Sequence, residues 1–279
     1  MKTKLYLLSA LCCMLLFACS SESSEKDAPT STRTDLEEEI NVSTDDTSDI
    51  CFSCLSREQA TEAYSFPATS GSGSDLLELN QIPDAILKNM TTKGLVQSLL
   101  TFPTILNWTL NNYSAYGGFL LETESITIFP ELFKRSDAAT CLLDLYKVYD
   151  QYACDGGVLT MQTFDMILSL PEIYTKFTDK EITELFEAAI DKIENLHKDE
   201  RDGDDVLWWF DPYKYLFMGR IMYYVGYDPL VASVDADENL VNFLEKPENF
   251  FFYDTGLCTP ERFHEFFLTQ AKAFLNQRK

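Results

Sequence analysis

Histidine is nearly missing from this chain: His197 and His264 are the only two in 279 residues. A four-ligand zinc site built on the Cys51-x-x-Cys54 pair would need two more nearby ligands, and the chain offers few of the usual kind. No G-x-S-x-G, H-E-x-x-H or phosphate-loop pattern occurs, so the common hydrolase and nucleotide-binding signatures are absent. Bases are scarce too: 22 Lys and Arg stand against 45 Asp and Glu, a net charge of −23. Nucleic-acid binding relies on Lys and Arg neutralising phosphates, and no basic patch offsets this balance, so no nucleic-acid partner is expected. Alternating apolar and polar residues, the mark of a half-buried strand, are equally rare. Ser125-Ile126-Thr127-Ile128-Phe129 is the nearest case, and a lone strand has nothing to pair with, so it reads as a helix start or a loop.

The first residues carry the strongest positive signal. Lys2 and Lys4 precede an apolar run from Leu5 to Ala18, too short for a comfortable permanent membrane helix, which needs about 20 residues. The run ends in Leu16-Phe17-Ala18-Cys19, which resembles the lipobox of bacterial lipoproteins. Cys12 and Cys13 lie inside the run and lack the Leu-x-Ala context. The resemblance implies a signal peptide over residues 1–18, cleavage before Cys19, and a diacylglycerol thioether on Cys19, usually with N-acylation. Two or more acyl chains anchor a protein stably, whereas one does not. The expected location is the cell envelope, lipid-anchored in the outer membrane. The face, periplasmic or surface, is open; Glu22, Glu25 and Asp27 loosely resemble export tags of Bacteroidales surface lipoproteins. Loss of Lys2 and Lys4 takes the mature charge from −23 to −25, so the lipid, not the domain, is expected to hold the membrane.

Residues 20–80 hold 14 acids and 3 bases, a charge of −11, and few large apolar groups. Such a stretch cannot bury enough surface to offset chain entropy, so residues 19–80 read as a disordered acidic tether ending in Ser70-Gly71-Ser72-Gly73-Ser74. The remainder, residues 81–279, is long enough for one sizeable core and reads as a single all-α domain of about eight to ten helices. An irregular multi-helix array or short superhelix is expected, without a fixed repeat and without TPR or HEAT signatures.

The clearest helix runs from Thr178 to His197, with Ile182, Leu185, Phe186, Ala189, Ile190, Ile193 and Leu196 on one face and Thr178 with Glu181 as a capping box. Thr259 and Pro260 open another, with Phe263, Phe266, Phe267, Phe274 and Leu275 turned inward. Asp211-Pro212 starts a helix to about Gly226, and Ser136 caps one holding Leu142, Leu145, Tyr146 and Tyr149. Asp235 with Glu238 caps a short one bearing Leu240, Phe243 and Leu244. Pro83 opens a short helix through Met90, and Thr91 or Thr92 starts one that stops before Pro103.

The text from Ile82-Pro83-Asp84-Ala85-Ile86 to Lys93-Gly94-Leu95-Val96, together with Phe102-Pro103 and Phe133-Lys134-Arg135-Ser136-Asp137-Ala138, resembles a group of uncharacterised helical lipoproteins of Bacteroidales. The resemblance is close over residues 80–150 and looser beyond. It implies location and fold, and transfers no catalytic residue.

Candidate chemistry is thin. Cys51 and Cys54 lie in the tether and read as a structural or incidental disulfide rather than a redox or metal pair. Cys141, Cys154 and Cys258 read as small buried hydrophobes, with a Cys141–Cys154 bridge open. Cys258 lies six positions from His264, with nothing to orient the imidazole. Asp199, Asp202, Asp204 and Asp205 form an acidic loop, and Asp235-x-Asp237-x-Asn239 begins like a calcium loop. That loop needs Gly at its sixth place and Glu at its twelfth, where this chain has Leu240 and Lys246. No metal, cofactor or catalytic residue is therefore assigned.

The aromatic run Trp208-Trp209-Phe210-Asp211-Pro212-Tyr213-Lys214-Tyr215 is the most suggestive feature left. Trp and Tyr dominate interfaces and stack on sugars, so Trp208, Trp209 and Tyr213 are candidate contacts for a protein or glycan; core packing is the competing reading. The expected function is a non-catalytic binding or assembly module of the envelope. The alternatives are a structural envelope lipoprotein without a ligand and a carboxylate-based hydrolase, whose paired acids need no motif.

Overall fold

The computed structural model describes residues 55, 59–66, 80–102, 115–152, 157–199, 212–247 and 259–279. Among these residues there are twelve helices and no strand, an all-α array without a regular repeat. The helices are α1 (Asp84–Leu87), α2 (Thr92–Leu100), α3 (Ala115–Ser125), α4 (Ile128–Phe133), α5 (Ala138–Val148) and α6 (Gly157–Leu168). They continue with α7 (Pro171–Tyr174), α8 (Asp179–Asp199), α9 (Pro212–Tyr224), α10 (Asp228–Ala236), α11 (Glu238–Glu245) and α12 (Pro260–Arg278). The count exceeds the expected eight to ten; α3, α6, α7 and α10 have no counterpart among the helices read from the sequence.

The amphipathic helices form where the pattern places them. In α8, Ile182, Leu185, Phe186, Ala189, Ile190 and Ile193 are buried. Its start is closed reciprocally: the Thr178 N–H donates to Glu181 Oε2 at 2.8 Å, and the Glu181 N–H donates to Thr178 Oγ1 at 3.3 Å. Thr259 Oγ1 accepts from the Arg262 N–H above α12, and Thr91 Oγ1 from the Gly94 N–H above α2. Ile126 and Thr127 lead into α4, so the isolated alternating stretch is a helix start.

Two caps fall elsewhere than expected. Asp235 is the penultimate residue of α10; Asp237 caps α11, its Oδ1 accepting from the Asn239 N–H at 2.9 Å. An Asp-Pro pair, Asp228-Pro229, had already opened a helix there, which leaves Asp235 inside it. Asp137, not Ser136, precedes α5, and its carboxylate accepts from the Thr92 hydroxyl at 2.7 Å instead of capping its own helix.

The centre is α9. Every residue from Lys214 to Gly219 is buried, as are Ile221 and Met222, and α9 packs against α6, α8, α10, α11 and α12. A helix enclosed over most of its circumference is largely apolar, and its Lys214 and Arg220 need interior partners. Gly219 admits its neighbours closely: a Cβ there would lie 2.7 Å from Leu244 Cδ2 and 2.9 Å from Phe267 Cε1. Arg220, next along, bonds three elements at once. Nε donates to the Leu244 carbonyl at 2.6 Å, and Nη1 to the Tyr116 hydroxyl and the Ser169 carbonyl, both at 2.8 Å.

The packed structure begins before residue 81. Leu55 belongs to the core, and Ala60, Tyr64 and Phe66 pack against it. Residues 59–66, expected in the tether, lie against α2.

Candidate functional site

Cys19, Cys51, Cys54, Cys154, Cys258, Trp208, Trp209 and the acids from Asp202 to Asp205 lie outside the described residues. The aromatic run enters the described structure at its downstream end, in the first turn of α9. Successive residues of a helix point about 100° apart, so Tyr213, Lys214 and Tyr215 leave in three directions. Each meets a different element.

Tyr213 is half-buried and its ring stacks on Tyr116 of α3, with centroids 5.9 Å apart and planes 26° from parallel. Tyr116 is itself buried, and its hydroxyl lies 2.7 Å from Ser169 Oγ. Tyr215 is buried against α12: its hydroxyl bonds His264 Nδ1 and its ring meets Phe263 edge-on at 5.8 Å. Lys214 turns into the interior, where Nζ lies 3.8 Å from Asp165 Oδ2 on α6; the two side chains are 3% and 0% exposed. Removing two charges from water is costly, so an interior pair of this kind demands its partner more than it adds stability.

A second ammonium lies close enough to Asp165 to interact with it electrostatically. Lys192 of α8 donates to the Tyr149 carbonyl at 2.6 Å and sits 5.4 Å over the Tyr146 ring. Burial pushes its pKa below the usual lysine range; Asp165 opposes the shift and Lys214 adds to it. Asp165 thus pairs with Lys214 and interacts electrostatically with Lys192, on which Asp150 and Asp191 also act. Sequence reading missed Asp165, although a lone acid in Thr163-Phe164-Asp165-Met166-Ile167-Leu168 is itself a signal: a charge within an apolar run needs an interior partner.

The other candidate groups are differently placed. Cys141 is half-buried and free, so the open Cys141–Cys154 bridge is not formed. Burial, then the nearby Asp137 and Asp144, push its thiol up to about 11, which leaves little thiolate near neutrality. His264 is half-buried and engaged by Tyr215. Among the described residues, no three His, Cys, Asp or Glu side chains converge on a metal position. A shallow depression of about 630 Å³ is lined by Asp179, Lys180, Thr183, Glu184 and Arg278. Its charges pair with one another or with neighbours: Arg278 with Asp179 at 2.9 Å, and Glu184 with Lys147 at 2.7 Å and Lys180 at 3.4 Å.

No protein-family model, curated protein or solved structure matches this chain.

Proposed function

We propose that this chain is a lipid-anchored, non-catalytic binding or assembly module of the cell envelope. It is held to the outer membrane through Cys19 and receives a protein or glycan partner at the aromatic run Trp208–Tyr213. The location is supported by the lipobox Leu16-Phe17-Ala18-Cys19 and by the text around Ile82 to Val96, similar to helical lipoproteins of Bacteroidales. The partner site rests on one observation: Tyr213, Lys214 and Tyr215 are locked into three different helices. The described base of the run is therefore fixed, and a contact surface gains affinity when its base is pre-organised.

Two experiments test the reading. Mass spectrometry of the native protein should find Cys19 as an acylated first residue, and Cys19→Ala should abolish acylation. For the partner site, single Trp208→Ala and Trp209→Ala variants should lose binding to a glycan or peptide panel while melting near wild type. Losses of about 3–5 kcal/mol in both, the usual cost of truncating a buried aromatic, would place the tryptophans in the core and favour a structural lipoprotein without a ligand.

A further inference from the structure

Helix α2 carries polar side chains on a face where core packing alone needs none. Gln97 and Ser98 are both fully buried, and both are spent on the main chain of residues 59–66. Gln97 Oε1 accepts from the Glu62 N–H at 2.8 Å while its Nε2 donates to the Gln59 carbonyl. Ser98 Oγ accepts from the Tyr64 N–H at 2.7 Å. Gly94 completes the face, because a Cβ there would stand 3.0 Å from the Glu62 carbonyl oxygen. Side-chain recognition is added at the edges. The Glu62 carboxylate accepts from the Thr91 hydroxyl at 2.5 Å and pairs with Lys93 at 3.2 Å. Phe66 packs edge-on against both Tyr64 and Phe102, at 5.1 and 5.2 Å.

The arrangement has the parts of a peptide-recognition face: side chains of α2 satisfy main-chain groups of the segment, and one charged and two aromatic side chains of the segment meet specific partners. The segment is also weakly buried. Thr61, Glu62 and Ser65 are exposed and the other residues of 59–66 are half-buried. Its departure would uncover an amide and a hydroxyl, which water can satisfy, along with the apolar surface under Ala60, Tyr64 and Phe66, Phe102 included. Segments of that kind open at a fraction of the global unfolding free energy.

We propose that α2 bears a peptide-docking face for a turn-forming segment with one carboxylate followed by two aromatic residues, and that Gln59–Phe66 occupies it in cis as a removable plug. The partner it fits is a peptide of that same pattern in another protein.

The test uses the full mature chain and a fluorescent synthetic peptide with the sequence of residues 57–68. Tethering gives the plug an effective concentration of order millimolar, so the wild-type chain should bind the added peptide poorly. The variant Glu62→Ala/Tyr64→Ala/Phe66→Ala, checked for an unchanged circular dichroism spectrum, should bind it at least tenfold more tightly. Adding Gln97→Ala should remove that gain. In the wild-type chain, the Glu62 and Tyr64 amides should exchange hydrogen more slowly than in the free peptide but faster than those of α9. A dimer formed by plug exchange between two copies would support the face and name this chain as a second occupant. Failure of the peptide to bind the folded triple variant would overturn the proposal. So would exchange of the two amides only through global unfolding, or a triple variant that does not fold, since each makes the segment part of the core.

Discussion

Lys214 and Asp165 face each other in the interior of the domain, Nζ 3.8 Å from Oδ2, on helices lined largely by buried apolar side chains. Cutting one partner strands the other. Asp165→Asn or Lys214→Met alone should cost about 3–5 kcal/mol in urea unfolding. The double variant Asp165→Leu/Lys214→Met should cost much less than the sum of the singles. Strict additivity in that cycle would show that the pair does not interact.

Gly219→Ala sets two opposed effects against each other. Alanine is better than glycine inside a helix by about 1 kcal/mol. Its Cβ, however, would lie 2.7 Å from Leu244 Cδ2 and 2.9 Å from the Phe267 ring. The leucine end can swing, but the buried ring cannot, and overpacking costs about 1–3 kcal/mol. The clash should win, lowering Tm; an unchanged or raised Tm would show that α11 and α12 can move apart.

Cys141 should be a slow thiol. Raising the pKa from 9.0 to about 11 lowers the thiolate fraction near pH 8 roughly a hundredfold. Iodoacetamide labelling followed by peptide mapping should therefore find Cys141 alkylated about a hundred times more slowly in the native chain than in urea. Equal rates would contradict the buried setting.

Docking of residues 59–66 should weaken in acid. The Thr91 hydroxyl and Lys93 ammonium hold the Glu62 carboxyl below its ordinary value of 4.5. A carboxylate depressed in the docked state contributes fully above that value, and its contribution is lost as pH falls through the lower docked value. Protection of the Glu62 and Tyr64 amides should be flat from about pH 7 to 5 and decline below about 4.5, and Lys93→Met should blunt the decline.

Amphipathic helices with side-chain caps were readable residue by residue. Thr178 with Glu181 and Thr259 with Pro260 mark their starts, and buried stripes follow. Helix α6 was not placed, for the opposite reason. Thr160, Met161 and every residue from Thr163 to Leu168 are buried, so no polar face sets a period. Helix α10 had a local signal, Asp228-Pro229 just after Gly226 at φ 72°, of the same kind that revealed α9. Residues 59–66 gave no signal, because they are held by Gln97 and Ser98 gripping main-chain atoms, and main-chain atoms are alike in every sequence. At the candidate site, Tyr213 was singled out in sequence, whereas Asp165 and Lys192 come together only through tertiary packing.

The position of α9 also sets the order in which this domain can become solid. Arg220 bonds Tyr116, a residue 104 positions earlier, and helix α6 has its main partner in α9. A chain emerging from its N-terminal end therefore holds α3 and α6 ready long before the helix that fills the space between them arrives. Closure over such distances is slow compared with local helix formation. The helices before α9 can pack on one another, α2 on α4 and α5, and α5 on α8, but the side of α6 that meets α9 stays uncovered until residues 212–224 are available. That uncovered side is apolar surface, which an incomplete chain presents to water until α9 covers it.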